Sequence, residues 1–305
     1  MIAGVKIGPR NWQEILNKGK PDCCEVWFRL DWADQFTNLF QTLNKKNIPF
    51  GLHFWTMLPG KIEPNLAWED DGIADQTVEL MKQTIDIAQK VGARYVNVHP
   101  GSLVLKKLDL ENSEMDFISH KTISRDKARE SLIPRAKLLN QYALKSNLLL
   151  LVETLPKNEP AHFRDHTGRQ EVQEVNNIPL DLIIELANAG IFITNDIGHT
   201  TASLITKDRE ELWKHLLKAT KNLASQTKLI HLNTTLPPFN GTDSHNGLLK
   251  KDFDQNVFPS KNQIIELLKI FCDRDDIWVI PEPEMEEMVE NYRGLKKMLN
   301  RATSH

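Results

Sequence analysis

Cysteine is scarce in this chain, with three residues among 305. Cys23 and Cys24 are adjacent and Cys272 is distant, so the sequence contains neither a disulfide framework nor the spacing of a zinc finger. An excess of charge of one sign is also lacking, because the formal net charge is only -3. The chain therefore has no strong global field that would attract nucleic acid, although a local basic surface could still do so.

Long apolar segments are absent as well. The longest uninterrupted apolar run, Leu148–Val152, is far shorter than the roughly 20 residues that span a bilayer. The segment Met1–Trp12 has no apolar stretch of the kind found in secretory signals. We therefore expect no membrane partner, and the few cysteines make a reducing, cytoplasmic location the default expectation.

The chain does contain a regular alternation of short apolar runs with segments of helical periodicity. Most of the runs are almost continuously apolar, as is typical of strands buried on both faces. Eight such units in 305 residues predict one α/β domain, a single (β/α)8 TIM barrel over residues 1–305, with a doubly wound open sheet as the alternative. No glycine-rich nucleotide-binding turn follows the first run, which disfavours the nucleotide-binding versions of that open sheet. The predicted strands are Ala3–Ile7, Cys24–Phe28, Pro49–Phe54, Tyr95–His99, Leu148–Glu153, Ile191–Asp196, Leu229–Asn233 and Trp278–Glu282.

Helix ends are predicted from residues that favour capping. Ser124, Thr206 and Ser260 are expected as N-caps, and Gly92 is expected as a C-cap. The longest irregular stretches each follow a predicted strand, and in a barrel this places them on the catalytic face. These stretches are Thr56–Gly72, Gly101–Ile123, Thr154–Ile178 and Thr234–Pro259.

Side chains that can bind metal gather at the ends of the later strands. In a barrel these ends converge on one mouth, where clustered buried carboxylates would be costly unless cations lie among them. Imidazole nitrogen together with carboxylate oxygen suits zinc, manganese, iron or cobalt. Any one of these residues alone could instead be a hydrogen-bonded structural group, and the more peripheral ones could bind substrate. The candidate ligands are His53, His99, Glu153, Asp196, His199, His231, Asp243, His245 and Glu282.

Four short motifs carry a family resemblance. HPGS at 99–102, D-x-x-H at 196–199, HLN at 231–233 and D-x-H-x-G at 243–247 resemble signature segments of endonuclease IV. The chain as a whole resembles the xylose-isomerase-like barrel superfamily, which includes endonuclease IV and the sugar-phosphate isomerases and epimerases. The resemblance departs from both groups after D-x-H, where a single glycine stands in place of a glycine-rich tail.

The resemblance implies up to three Zn²⁺ ions, with Mn²⁺ as the other candidate. One ion would be held by His53, His99 and Glu153, and another by His199, Asp243 and His245. The third would be held by Glu153, Asp196, His231 and Glu282, so Glu153 would bridge two ions. In the isomerases and epimerases, the equivalents of these four residues bind a single metal. Glu153 and Glu282 would then be the catalytic acid and base.

Two enzymatic functions follow from these residues. The number of ligands favours a multinuclear metal hydrolase of a phosphoester, since several ions can clamp phosphoryl oxygens and activate water. The alternative is a one-metal sugar or sugar-phosphate isomerase or epimerase. A metabolite-binding barrel without turnover is a third, less favoured interpretation.

The expected substrate is small and is either phosphorylated or a sugar, and abasic DNA is a further candidate. Trp55 is expected to contact it at the mouth. Arg164 and Arg169 are expected to do the same from a basic flap that also contains His162 and His166.

Overall fold

Strands and helices alternate along residues 1–162 and 171–303, which are the residues that the computed structural model describes. The strands are β1 (Ile2–Ile7), β2 (Cys23–Phe28), β3 (Phe50–Phe54), β4 (Tyr95–Val98), β5 (Val104–Asp109), β6 (Glu114–Thr122), β7 (Leu149–Glu153), β8 (Glu159–Pro160), β9 (Val172–Gln173), β10 (Phe192–Asp196), β11 (Thr227–Leu232) and β12 (Trp278–Pro281). The helices are α1 (Trp12–Gly19), α2 (Thr37–Lys45), α3 (Asp71–Val91), α4 (Arg125–Lys145), α5 (Leu180–Asn188), α6 (Ile197–Ala202), α7 (Arg209–Leu223), α8 (Lys250–Phe253), α9 (Lys261–Lys269) and α10 (Met288–Thr303).

Eight of the strands close into a barrel in the order β1-β12-β11-β10-β7-β4-β3-β2. Every neighbouring pair in this barrel is parallel. The barrel strands coincide with the eight predicted apolar runs to within two residues at either end. The (β/α)8 TIM barrel predicted from the sequence is therefore confirmed, and the open sheet is excluded.

Side chains inside the barrel change from apolar to polar along its axis. Near the N-terminal ends of the strands the interior is filled by a separate apolar cluster, which closes the barrel at that end. One pleat further along, the inward positions carry Lys6, Glu25, His53 and His231, all buried. The strand faces that point outward pack against the helices in the main core. The apolar cluster contains Cys23, Tyr95, Leu151, Leu229, Trp278 and Ile280.

Three of the four predicted helix caps are confirmed. Ser124 and Ser260 cap α4 and α9, and Gly92 ends α3 in the left-handed conformation. The prediction for Thr206 is wrong, because α7 is capped by Asp208, whose carboxylate accepts from two backbone N–H groups at 2.8 and 3.3 Å. Aspartate is at least as favourable an N-cap as threonine. The Thr206 hydroxyl accepts a hydrogen bond from the backbone N–H of Asp208, so it does not cap the helix.

The stretch 101–123 is not irregular as predicted, since β5 and β6 form an antiparallel hairpin there. Its turn has no glycine, and Ser113 takes the left-handed conformation instead (φ 61°), so the usual hairpin signal is missing. The hairpin packs against Trp27 and Trp55 beside the mouth of the barrel. Lys106 is buried at its base, 3.2 Å from a Glu63 oxygen.

No helix in the described ranges 1–162 and 171–303 combines the length and apolar character needed to cross a membrane. The helices pack around the barrel and present amphipathic faces, as in α2, where Leu39, Phe40 and Leu43 are buried. This pattern is typical of helices with one face on a core and the other in solvent.

Gly51 of β3 leaves room for the ring of Tyr95, and we expect Gly51→Ala to destabilise the barrel. A Cβ at this position would lie 2.2 Å from the Tyr95 ring. Overpacking of this kind costs roughly 1–3 kcal/mol, so the free energy of unfolding in urea should fall by that amount. Gly294→Ala is the control, because its Cβ would meet nothing closer than 3.9 Å and alanine favours the helix. Equal stability of Gly51→Ala and the wild type would contradict the expectation.

Candidate metal centre

Three carboxylates and one imidazole meet at the C-terminal mouth of the barrel. We call Glu153, Asp196, His231 and Glu282 the inner group; they come from β7, β10, β11 and the residue after β12. One ligand atom from each lies within 4.8 Å of the others. His231 Nδ1 is 3.1 Å from Glu153 Oε1, 3.4 Å from Glu282 Oε1 and 3.7 Å from Asp196 Oδ2. The four side chains therefore point to one small volume, and all of them are buried.

Glu153 also belongs to a second group, with His53 and His99. Its Oε2 lies 3.3 Å from His53 Nε2 and 3.6 Å from His99 Nε2. Its Oε1 faces His231, so the two oxygens of one carboxylate face different groups. Asn97 holds Oε2 by donating its amide N–H at 2.5 Å. This geometry makes Glu153 the residue shared between the two groups.

A third group, which we call the outer triad, consists of His199, Asp243 and His245, whose ligand atoms again lie within 4.8 Å of one another. His199 Nδ1 lies 2.8 Å from the Thr154 carbonyl oxygen, an arrangement in which Nδ1–H donates and Nε2 is left for a ligand. Asp243 accepts from Asn233 and Thr235 at 2.9 Å each. The outer triad is the more open group, since the His245 side chain is 30% exposed.

The inner group carries more negative charge than its surroundings balance. Burial raises the pKa of Asp196 well above its usual range, and the carboxylates of Glu282, Asp243 and Glu153 raise it further. Burial would also raise the pKa of Glu153, but the electrostatic attraction of the neighbouring histidines, His231 first, and the hydrogen bond with His199 outweigh it and hold that pKa well below its usual range. Asp196 Oδ2 is buried without a hydrogen-bond partner among the described residues. An orphaned carboxylate oxygen at this point is what a cation would satisfy.

The imidazoles differ in their protonation. Burial lowers the pKa of His53 to about 4, with Lys6 as a further cause, so this ring is neutral and able to bind a metal. Burial would lower the pKa of His199 too, but Asp196, Glu153 and Asp243 outweigh it and raise the pKa to about 10. The pKa of His231 is likewise raised well above its usual range, by Glu25, Glu282 and Glu153 against burial. Nitrogen and oxygen donors in this mixture fit zinc or a similar divalent ion.

Two charged residues of this region were not predicted as site residues. Lys6 of β1 forms an ion pair with Glu282 and lies 3.7 Å from Glu25 of β2. Glu25 Oε2 lies 2.7 Å from His231 Nε2. The signal was present in the sequence, because both residues interrupt apolar runs at positions that strand alternation turns inward.

Of the residues predicted to contact the substrate, Trp55 lies in the described part of the chain. Trp55 lies half-buried at the mouth, with its ring centroid 5.5 Å from that of His53 and 5.1 Å from that of His99. Its indole Nε1 is buried and has no hydrogen-bond partner in the described part of the chain. Arg164 and Arg169 lie outside the described residues, as does His166 of the predicted flap.

A family profile described as xylose isomerase-like TIM barrel matches residues 14–299. The chain belongs to this family. A structure described as a D-tagatose 3-epimerase-like protein aligns with a TM-score of 0.66 and 16% identity, covering 99% of this chain and 98% of the other. Endonuclease IV from Thermus thermophilus aligns with a TM-score of 0.57 and 16% identity, covering 98% of this chain and 99% of the other. At such identities the likeness concerns the fold alone.

One curated relative matches over a short segment. A probable endonuclease 4 from Thermotoga maritima is 50% identical over 38 residues, which are 12% of this chain. The match spans only 13% of the relative's own length. Membership of the xylose isomerase-like family therefore rests on the profile, and it leaves the reaction open between enzymes as different as an epimerase and an endonuclease.

Gly198 of α6 allows the outer triad to form, and we expect Gly198→Ala to disrupt it. A Cβ here would lie 2.2 Å from Asn233 Oδ1 and 2.3 Å from Asp243 Oδ2, so Asp243 must move. Elemental analysis should then find about one metal ion fewer per chain than in the wild type, with the circular dichroism spectrum unchanged. Gly8→Ala, whose Cβ would meet Trp27 at an ordinary 3.8 Å, should keep the full complement. Full metal content in Gly198→Ala would contradict this role.

Metal binding should release protons near pH 7. His199 and His231 have raised pKa values, so both are protonated in the metal-free protein and must lose a proton before they can bind a cation. Affinity should therefore rise with pH and fall as the solution becomes acidic. Zinc titrations in two buffers of different ionisation enthalpy would measure the released protons. His215→Gln, a change outside the three groups, should leave their number unaltered, and heats independent of the buffer would rule the expectation out.

Proposed function

We propose that this member of the xylose isomerase-like family is a multinuclear divalent-metal hydrolase that acts on a phosphoester. The observation that supports this is the outer triad. The family resemblance implies that an isomerase would need only the inner group, whereas His199, Asp243 and His245 form a further set of ligand atoms within 4.8 Å of one another. Buried carboxylate and imidazole groups are expensive to keep together without a cation, so a surplus triad supports additional ions.

The residues divide the work of hydrolysis as follows. When bound, the ions would supply an activated water and a clamp on the phosphoryl oxygens. The water oxygen bonds to phosphorus, the bond to the leaving oxygen breaks, and that oxygen takes up a proton. Glu153 and Glu282 are the carboxylates proposed to orient the water and to receive its proton. Asn97 keeps Glu153 in place through the hydrogen bond to Oε2.

The proposed ions are zinc, with manganese as the second choice, because the donors are a mixture of imidazole nitrogen and carboxylate oxygen. Trp55 is proposed to contact the substrate, since its unpaired indole N–H can donate to a phosphoryl or hydroxyl oxygen. Arg164 and Arg169 are proposed as further contacts to an anionic substrate. The 38-residue likeness to a probable endonuclease 4 supports a phosphodiester, with abasic DNA as a candidate.

A one-metal sugar isomerase or epimerase is the second candidate. It is favoured by the position of Glu153 and Glu282, whose Oε1 atoms lie 3.1 and 3.4 Å from the same His231 nitrogen. Two carboxylates beside one metal could move a proton to and from a carbon next to a carbonyl group.

The double variant Asp243→Ala/His245→Ala separates the two candidates. If the outer triad binds an ion for hydrolysis, the variant should lose about one metal per chain. Its hydrolysis of bis(4-nitrophenyl) phosphate and of an abasic-site oligonucleotide should fall by about 100-fold or more, because the clamp on the phosphoryl group is lost. Elemental analysis and steady-state kinetics would measure both quantities.

The matched control is Asp252→Ala/His215→Ala, a pair of the same residue types that lies outside the three groups. It should retain both metal and activity. Unchanged metal content in the outer-triad variant, together with epimerisation of a ketohexose by both variant and wild type, would reject the hydrolase and favour the second candidate.

A further inference from the structure

Glu25 of β2 lies beneath the inner group and is fully buried. Its Oε2 is 2.7 Å from His231 Nε2, which is a direct hydrogen-bond distance. The other nitrogen of the same ring, Nδ1, faces the oxygens of Glu153, Asp196 and Glu282. The ring therefore stands between a carboxylate on one side and the candidate metal position on the other.

We propose that Glu25 is a positioning residue that holds His231 with Nε2 protonated and Nδ1 directed at the metal. The two nitrogens of a neutral imidazole cannot both donate, so a carboxylate that accepts from Nε2–H leaves the lone pair on Nδ1. A ring oriented in this way by a carboxylate also becomes a more basic ligand.

The barrel holds Glu25 in this position from three sides. In the β1–β2 register Glu25 is opposite Lys6, whose ammonium group lies 3.7 Å from Oε2. In the β2–β3 register it is opposite Gly51, and the space left by that glycine admits the Tyr95 ring. The Tyr95 hydroxyl then donates to Glu25 Oε1 at 3.4 Å. These neighbours satisfy the carboxylate without a metal ion.

A direct ligand role for Glu25 is the competing interpretation, because Glu25, His53, His231 and Glu282 also bring ligand atoms within 4.8 Å. Two features argue against it. The Lys6 ammonium group lies 3.7 Å from Glu25 Oε2, and the Tyr95 hydroxyl donates to Oε1, so both oxygens of Glu25 already have partners. Glu25 and His231 are also too close, since two donors on one zinc ion at bonds of about 2.0–2.2 Å lie roughly 3 Å or more apart.

This inference rests on the metal-binding part of the proposed function but not on the reaction. His231 belongs to the inner group, which both the hydrolase and the isomerase would use. A wild-type protein that binds only one ion would contradict the proposal of a multinuclear hydrolase. It would leave the role of Glu25 to be decided by the measurements below.

The first measurement is the titration of the metal-free protein with Co²⁺, followed through the visible absorption of the bound ion. Glu25→Met should keep the number of ions bound per chain and weaken the tightest site by about 10- to 100-fold. Glu25→Gln should recover part of that loss, because its amide oxygen can still accept from Nε2–H. Wild-type affinity in Glu25→Met would overturn the proposal, and so would the loss of one ion per chain, which would make Glu25 a ligand.

The matched control is Tyr142→Phe, which removes a tyrosine hydroxyl that donates to Asp86 at 2.8 Å and leaves Glu25 and His231 in contact. Its cobalt affinity should stay within about two-fold of the wild type, because the ring of His231 keeps its carboxylate partner.

A second measurement needs no variant and so remains decisive if Glu25→Met does not fold. In zinc-loaded wild-type protein with ¹⁵N-labelled histidine, NMR should find His231 protonated at Nε2 and not at Nδ1. A proton on Nδ1, or a metal-bound Nε2, would overturn the proposal.

Discussion

The crowding of carboxylates inside a closed barrel is the constraint on which the rest of the site depends. Glu25, Glu153, Asp196 and Glu282 are all buried. Charge removed from water in this way is tolerated only when it is paired or bound to cations. Lys6 and the histidine rings supply part of the balance, but Asp196 Oδ2 has no hydrogen-bond partner among the described residues. The barrel mouth therefore brings together groups that could hold cations.

The apolar half of the barrel makes this polar half possible. Tyr95, Leu151 and Trp278 are members of the apolar cluster that fills the interior near the N-terminal ends of the strands. A low local dielectric strengthens every interaction between the charged groups above this layer. Close packing constrains the same region. Gly51 and Gly198 leave space where a Cβ would collide with Tyr95 and Asp243.

The sequence predicted those parts of the structure whose signal is local and repeated. The eight apolar runs indicated the barrel because buried parallel strands leave a continuous pattern, and strand ends converge by topology alone. Glu25 was missed because a single charged residue within an apolar run gives no repeated signal. Only the alternation of side chains along the strand shows that it points into the barrel. The β5–β6 hairpin was missed because Ser113, not glycine, takes its left-handed turn position. The N-cap of α7 was predicted wrongly because Thr206 and Asp208 are both suitable capping residues. The backbone geometry, which the sequence does not show, selects Asp208.

The inner group and the outer triad differ in how they are held. Inner side chains lie on or beside the barrel strands, so the barrel itself holds them. The outer triad depends on α6 and on the loop after β11, where His245 takes a positive φ of 45° and Asp243 is held by Asn233 and Thr235. A non-glycine residue in that conformation carries strain that the surrounding contacts must offset. Both proposed reactions would use the inner group, so the proposals differ in the outer triad. The distinction lies in whether this strained loop delivers Asp243 and His245 to a metal ion.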